Sequence, residues 1–261
     1  MCKLNIFFVF ACVCCVSCSV CHITGNKVIV KQAFPISQFD KIESNVSVSI
    51  IYSQNENSPV AILEMDSNIV KLFDVFVADN KLIISLKEQF QHCGYSANVL
   101  NLYCNSAQLE AISLTGSGNF KSFTNMSGEN LTINITGSAD IKCENELIYN
   151  ELNVQIAGSG DLELNGKFEK TKGNITGSGD ILLKGKSKTA HFGIAGSGSI
   201  DAADFEVDYL TTTLSGSGDI FADVKQSLDA KLVGSGSLTY KGNPQKINTE
   251  VTGSGSINQK K

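Results

Sequence analysis

The sequence predicts an all-β fold: a parallel β-helix, or solenoid, of about 20-residue coils behind a less regular, strand-rich N-terminal portion. A Gly-Ser-Gly-Asp-Ile-like motif recurs eight times, its first glycines being Gly116, Gly137, Gly158, Gly177, Gly196, Gly216, Gly234 and Gly253. Their separations are 21, 21, 19, 19, 20, 18 and 19 residues, a period that marks stacked structural repeats. Apolar residues alternate on both sides of each motif, as in Val154 and Ile156 before one and Leu162 and Leu164 after it. Period-two alternation with one apolar face means half-buried strands rather than helices. A leucine-rich or other α-containing repeat would need a 3.6-residue apolar period or a capped helix between motifs, and the sequence offers neither.

Residues 1–17 carry Lys3 and then an apolar run from Ile6 to Val16, the n-region and h-region of an export signal peptide. Six of the nine cysteines fall within the first 21 residues. Cys15-Val16-Ser17-Cys18 is laid out as a lipobox, a lipidated cysteine following a short apolar run and a small residue, although Cys15 stands where leucine is usual. Cys18 is therefore expected to be the acylated residue, with Cys21 the rival site, and 18–27 to be a lipidated, flexible tether. An ordinary cleaved signal with incidental cysteines is the plainer alternative. In an oxidising compartment Cys93 and Cys104 are expected to close a small loop, leaving Cys143 as a buried apolar filler.

Residues 28–113 read as a strand-rich portion, forming either the first, less regular coils or a cap. Strands are expected at Val28–Ala33, Val46–Tyr52, Val60–Met65, Leu82–Leu86 and Asn98–Tyr103. Asp66–Phe76 is the one plausible helical turn, and Asp79-Asn80-Lys81 a hairpin-like turn. An open solenoid end would expose unpaired strand edges, so a cap has a physical task.

Residues 114–261 form the repeat solenoid. Each repeat reads as strand, turn, strand and a Gly-Ser-Gly corner. A sharp corner repeated in register needs positive φ or close backbone approach, which glycine supplies at least cost. Ala139 replaces the second glycine in one copy, and the serines between glycines could stack as a hydroxyl ladder. At a strand spacing of about 4.8 Å, eight coils span roughly 35–40 Å. Asn258-Gln259-Lys260-Lys261 is a polar finish.

Three features in this order resemble the family described as "putative auto-transporter adhesin, head GIN domain". They are the lipoprotein-like start leading to Ile23-Thr24-Gly25-Asn26, the segment Phe39-Asp40-Lys41-Ile42 leading to Val46-Ser47-Val48-Ser49-Ile50, and the Gly-Ser-Gly-Asp-Ile repeats. The repeats are the specific part. The resemblance implies an exported β-helical lipoprotein of Bacteroidetes type with an adhesion-like role. It implies no particular ligand and no catalytic residues.

Composition narrows function further. The chain of 261 residues has a formal charge of −5, no tryptophan, and only lysine among its 21 basic residues. An acidic chain without guanidinium groups is unsuited to nucleic acid, which needs a basic face. His22, His92 and His191 are scattered, and no zinc, phosphate-loop or nucleophile-elbow signature occurs, so no cofactor, metal centre or catalytic residue is expected. The best chemical candidate is the column of Asp140, Asp161 and Asp180, with Asp219 further on, each behind a corner. Stacked carboxylates about 5 Å apart would repel, and a hard cation could relieve them. The plainer role is capping of corner amides.

The expected function is that of an exported, membrane-anchored, non-catalytic scaffold or adhesin-like binding protein of the cell envelope, an outer-membrane lipoprotein facing either side. Its partners would be the membrane, through the lipid, and a glycan or surface protein. A carbohydrate-active β-helix enzyme, polysaccharide lyase or glycosidase, is the alternative; it would need paired carboxylates in a groove. A purely structural envelope protein is the third reading.

Overall fold

The protein is described here from a computed structural model covering residues 21–260. The expected signal peptide and Cys18 lie outside the described residues. Strand dominates the described chain, and coils stack into the expected β-solenoid.

The N-terminal portion holds nine strands: β1 (His22–Thr24), β2 (Ile29–Phe34), β3 (Lys41–Ser44), β4 (Ser49–Gln54), β5 (Val60–Asp66), β6 (Phe73–Ala78), β7 (Lys81–Leu86), β8 (Gly94–Ser96) and β9 (Leu100–Ser106). The helical turn expected within Asp66–Phe76 is a single 3₁₀ turn at Val70–Leu72 that tucks Ile69, Leu72 and Phe73 into the core. Asp79 and Asn80, both at positive φ, turn β6 directly into antiparallel β7. Short polar side chains tolerate that conformation, so the tight hairpin forms without glycine.

The coil stack starts earlier than the first Gly-Ser-Gly motif. β3 and β4 make a first coil, pairing in parallel with β10 (Ala111–Gly116) and β11 (Asn119–Ser122). On its other side β3 continues into β7 and β6, while β4 continues into β9, β5 and β2. The parallel coil thus flares into two mostly antiparallel blankets. These cover the N-terminal end with buried side chains such as Leu63, Met65, Leu72 and Phe73.

Above the first coil run β12 (Met126–Gly137), β13 (Asp140–Gly158), β14 (Leu162–Gly177), β15 (Asp180–Gly196), β16 (Ser199–Gly216) and β17 (Asp219–Gly234). β18 (Ser237–Lys241), β19 (Lys246–Gly253) and β20 (Ser256–Gln259) complete the stack. All pair in parallel, and the first glycine of every motif lies opposite the next, from Gly116 to Gly253. The alternating positions read as apolar, among them Ile133, Val154, Phe192, Leu210 and Leu228, point inward and are buried. At the C-terminal end Ile247 and Val251 lie in register on Leu228 and Leu232 but are 49% and 43% exposed, because no further coil covers them.

The N-terminal cysteines pair differently from expectation. Cys21 is bonded to Cys93, and Cys104 is a buried free thiol. Cys104 lies opposite Tyr52 and Ala61 inside the sheet, whereas Cys93 sits in the loop before β8, beside β1. A disulfide forms where side chains meet, and sequence proximity alone put the bridge in the wrong place. A disulfide at Cys21 also occupies the thiol that its rival role in lipidation would need. Residues 22–27 are correspondingly not a flexible tether. β1 pairs with β8, and the fully buried Asp66 carboxylate accepts hydrogen bonds from the amides of Lys27 and Asn98 at 2.7 Å each.

Candidate functional site

The motif corners assemble into one straight edge. The first glycines adopt φ from 106° to 142°. At Gly177 the left-handed region alone would disfavour a side chain, and a Cβ there would also fall on the carbonyl oxygen of Gly158 in the coil below. The ladder that results is a backbone one: the Ser178 amide donates to Gly158 at 2.8 Å and the Ser197 amide to Gly177 at 2.9 Å. The serine hydroxyls are exposed, and among the described residues no hydrogen bond joins them into the expected ladder. Ala139 is fully buried in its column, which accepts its methyl group.

Asp140, Asp161 and Asp180 do form a column on this edge, and their side chains face solvent. Their neighbours show what they do. Asp140 Oδ1 accepts the amide of Asp161 (3.1 Å), and Asp161 Oδ1 accepts the amide of Asp180 (3.0 Å). Asp180 Oδ1 accepts both the amide and the hydroxyl of Ser199 at 2.8 Å. Asp219 holds Ser237 in the same way, at 3.1 and 2.6 Å. Each carboxylate satisfies an amide that the corner leaves unpaired in the next coil, which is the capping role. Among the described residues no group of three or more His, Cys, Asp and Glu is placed to hold a metal ion. The carboxylates of the column thus serve as corner caps.

A cleft of about 660 Å³ lies elsewhere, on the flank of the last coils. Its origin is a mismatch between neighbouring coils. Ala202 lies opposite Ala222, but the next matched pair is Glu206 with Asp223, so Ala203, Asp204 and Phe205 have no partners in β17. Phe205 folds inward and is fully buried, while Asp204 is pushed into solvent. The coil above is the shortest of the stack, with 18 residues between Gly216 and Gly234, and cannot cover the bulge. The chain then turns at Gly242, whose φ is 97° and whose missing side chain leaves room for the carbonyl of Val224. Gln259 secures that turn by donating to the Gly242 carbonyl at 2.9 Å.

The Phe221 ring, 38% exposed, lies beside apolar Ala203 and Ala222 in the cleft wall. Asp223 sits between two lysines. Lys225 Nζ is 3.0 and 3.2 Å from its two oxygens but hydrogen-bonds only Oδ2, and Lys241 Nζ is 3.7 Å away. Lys225 also reaches Glu206 at 3.3 Å, and Lys241 reaches Asp204 at 3.7 Å. The hydrogen bond to Asp223, with Glu206 adding to it, holds the Lys225 ammonium above the usual lysine range against the opposing effect of burial. Asp223 Oδ1 is buried and receives no hydrogen bond.

None of these cleft residues stands out in the sequence as a motif. Two signals do precede the cleft: the step from 20 to 18 residues between corners, and Asp204-Phe205, which breaks the alternation set by Ile200 and Ala202. Among the described residues the free thiols are Cys104 and Cys143, both buried. Burial pushes Cys104 and Cys143 up to about 12, so neither forms a thiolate at neutral pH.

Comparison with known proteins agrees with this architecture. The family model described as "Putative auto-transporter adhesin, head GIN domain" matches residues 38–181 and again 131–244, together most of the chain. The chain belongs to that family. The two overlapping matches to one head GIN model follow from the internal repetition. No curated protein matches. Thirteen chains of solved structures do. A "putative lipid binding protein" from Parabacteroides distasonis is 29% identical with a TM-score of 0.86, covering 92% of this chain and 100% of its own. A "putative adhesin" from Parabacteroides merdae is 23% identical with the same TM-score, covering 92% and 99%. Another, from Bacteroides fragilis, is 24% identical with a TM-score of 0.66, covering 91% and 100%.

Proposed function

We propose that this head GIN protein is exported, held on the outer membrane by a lipid on Cys18, and works there as a non-catalytic, adhesin-like binding surface. The observation that carries the reading is the outward face of the strands before the corners. Residues in register along it include Asn134, Gln155, Asn174 and Thr213, with Thr115, Thr136 and Thr176 on the adjoining row. A straight polar face repeating at strand spacing suits many weak contacts to a glycan or a surface protein, where avidity replaces a deep pocket. The adhesin names of its neighbours and the export-type start support the same reading. The lipid-binding name carried by one neighbour fits less well with a coil interior filled by side chains such as Phe192 and Phe205.

The test has two readouts. Cells producing the protein should incorporate labelled fatty acid at Cys18, and Cys18→Ser should abolish labelling and release the protein. Anchored cells should also bind host or envelope glycans, or a surface protein, more than deletion cells do. Absence of any partner together with turnover of a polysaccharide would replace this reading with the enzymatic one. A deletion that weakens the envelope without altering attachment would favour a structural role.

A further inference from the structure

We infer that the cleft between β16, β17 and the Gly242 turn is a binding site for a neutral pyranose sugar. The inference rests on the binding role proposed above and locates one specific site within it. Three properties point to this ligand class. First, the cleft is a built feature. It arises from the unmatched residues of β16 and the short coil of β17, and Gly242 lets the bounding turn pack onto the Val224 carbonyl, where a Cβ would collide. Its volume of about 660 Å³ falls in the range of small-ligand sites.

Second, Phe221 is an outward ring in a wall otherwise made of small apolar and polar groups. The face of a pyranose that carries only C–H groups stacks on such a ring, burying apolar area without desolvating hydroxyls. The stack leaves the equatorial hydroxyls at the rim, within reach of side chains that donate and accept: Gln259, Asn243 and Thr239.

Third, charge selects against ions. Of the charged lining residues, Lys225 and Lys241 are tied to Asp204 and Asp223 in salt bridges, Glu206 outside the cleft adds to Lys225, and only Lys260 stands apart from that network. An ionic ligand would have to compete with that network for Lys225, Lys241, Asp204 and Asp223. A polyhydroxylated neutral ring can instead accept from the ammonium groups and donate to the carboxylates while the network stays intact.

The exported protein, purified in detergent, is screened against an array of neutral hexose- and N-acetylhexosamine-terminated oligosaccharides alongside uronate- and sialate-bearing ones, and hits are titrated by calorimetry. Neutral sugars should bind, at least tenfold more tightly than acidic ones. Phe221→Ala should weaken binding tenfold or more, Phe221→Tyr should retain it, and Phe123→Ala, an exposed ring at the other end of the coil stack, should leave it unchanged. Thermal melts of all three variants should match the parent, because both rings lie outside the core. Equal binding by Phe221→Ala and the parent would overturn the site while leaving the binding role intact. Preference for acidic glycans, or binding to a surface protein with no sugar bound at all, would overturn the ligand class.

Discussion

The two ends of this molecule solve one problem in different ways. In the repeat, every coil rests on a copy of itself. Corner meets corner, apolar column meets apolar column, and Asp180 caps Ser199 as Asp219 caps Ser237. In the N-terminal portion the contacts do not repeat: one disulfide, one buried carboxylate, one hairpin and two unlike 3₁₀ turns, at Val70–Leu72 and Glu88–Phe90. Even the first coil follows this contrast. It turns through Asn45-Val46-Ser47-Val48 without glycine, and the glycines above it pack onto Ser47 and Val48. A repeat multiplies a geometric constraint, so small residues become obligatory. A cap is free of that constraint and secures itself by specific bonds instead.

Substitutions should separate the two strategies. The largest effect is expected in the repeat: Gly177→Val sets a branched side chain at φ 129° and against the Gly158 carbonyl, and should cost about 4 kcal/mol or more in chemical denaturation. A tolerated Gly177→Val would mean that the corners are not fixed by their stacking. Next comes the cap. Cys21→Ser with Cys93→Ser removes a link between residues 72 apart, worth at most about 4 kcal/mol by chain entropy. Limited proteolysis should then cut before Asn26 while the coils survive; cleavage spread evenly through the chain would argue against a locally stapled cap.

Acid should act on the same region, more weakly. Burial tends to raise the pKa of Asp66, but hydrogen bonds from Asn98 and Lys27 prevail and hold it below the usual carboxylate range. A depressed folded-state pKa contributes stability that is present above the unfolded value of about 4 and lost as pH falls through the folded one. Hydrogen exchange at Lys27 and Asn98 should therefore speed up below about pH 4, and Asp66→Asn should remove that pH dependence. Exchange in β14 and β15 is expected to stay slow under the same conditions. The smallest effect is a gain. The Thr212 hydroxyl is buried in the apolar column between Phe192 and Ala230 with no hydrogen-bond partner, so Thr212→Val should stabilise the coils by about 1 kcal/mol in thermal melts.

Legibility in the sequence follows the same division. The period, the strand parity and the corner glycines were all readable, because each is repeated eight times and each copy testifies to the others. The N-terminal portion could be read only as first coils or a cap, since its one coil lacks the corner glycine that marks the rest. The disulfide was misassigned because Cys104 turns inward while Cys93 faces β1, a difference of direction that spacing does not encode. The cleft left only a trace, a 20-to-18 step and a break in alternation at Asp204-Phe205, without any sign of which side chains would gather there.

Taken by itself, the chain of residues determined that identical segments stack in parallel, because apolar alternation and periodic glycine admit no other burial. Only the tertiary structure decided which unlike segments meet: Cys21 with Cys93, Asp66 with Lys27, and Asp223 with two lysines above an unmatched bulge. Repetition is a local property copied along the chain. Contacts made once depend on three-dimensional closure, and no period announces them.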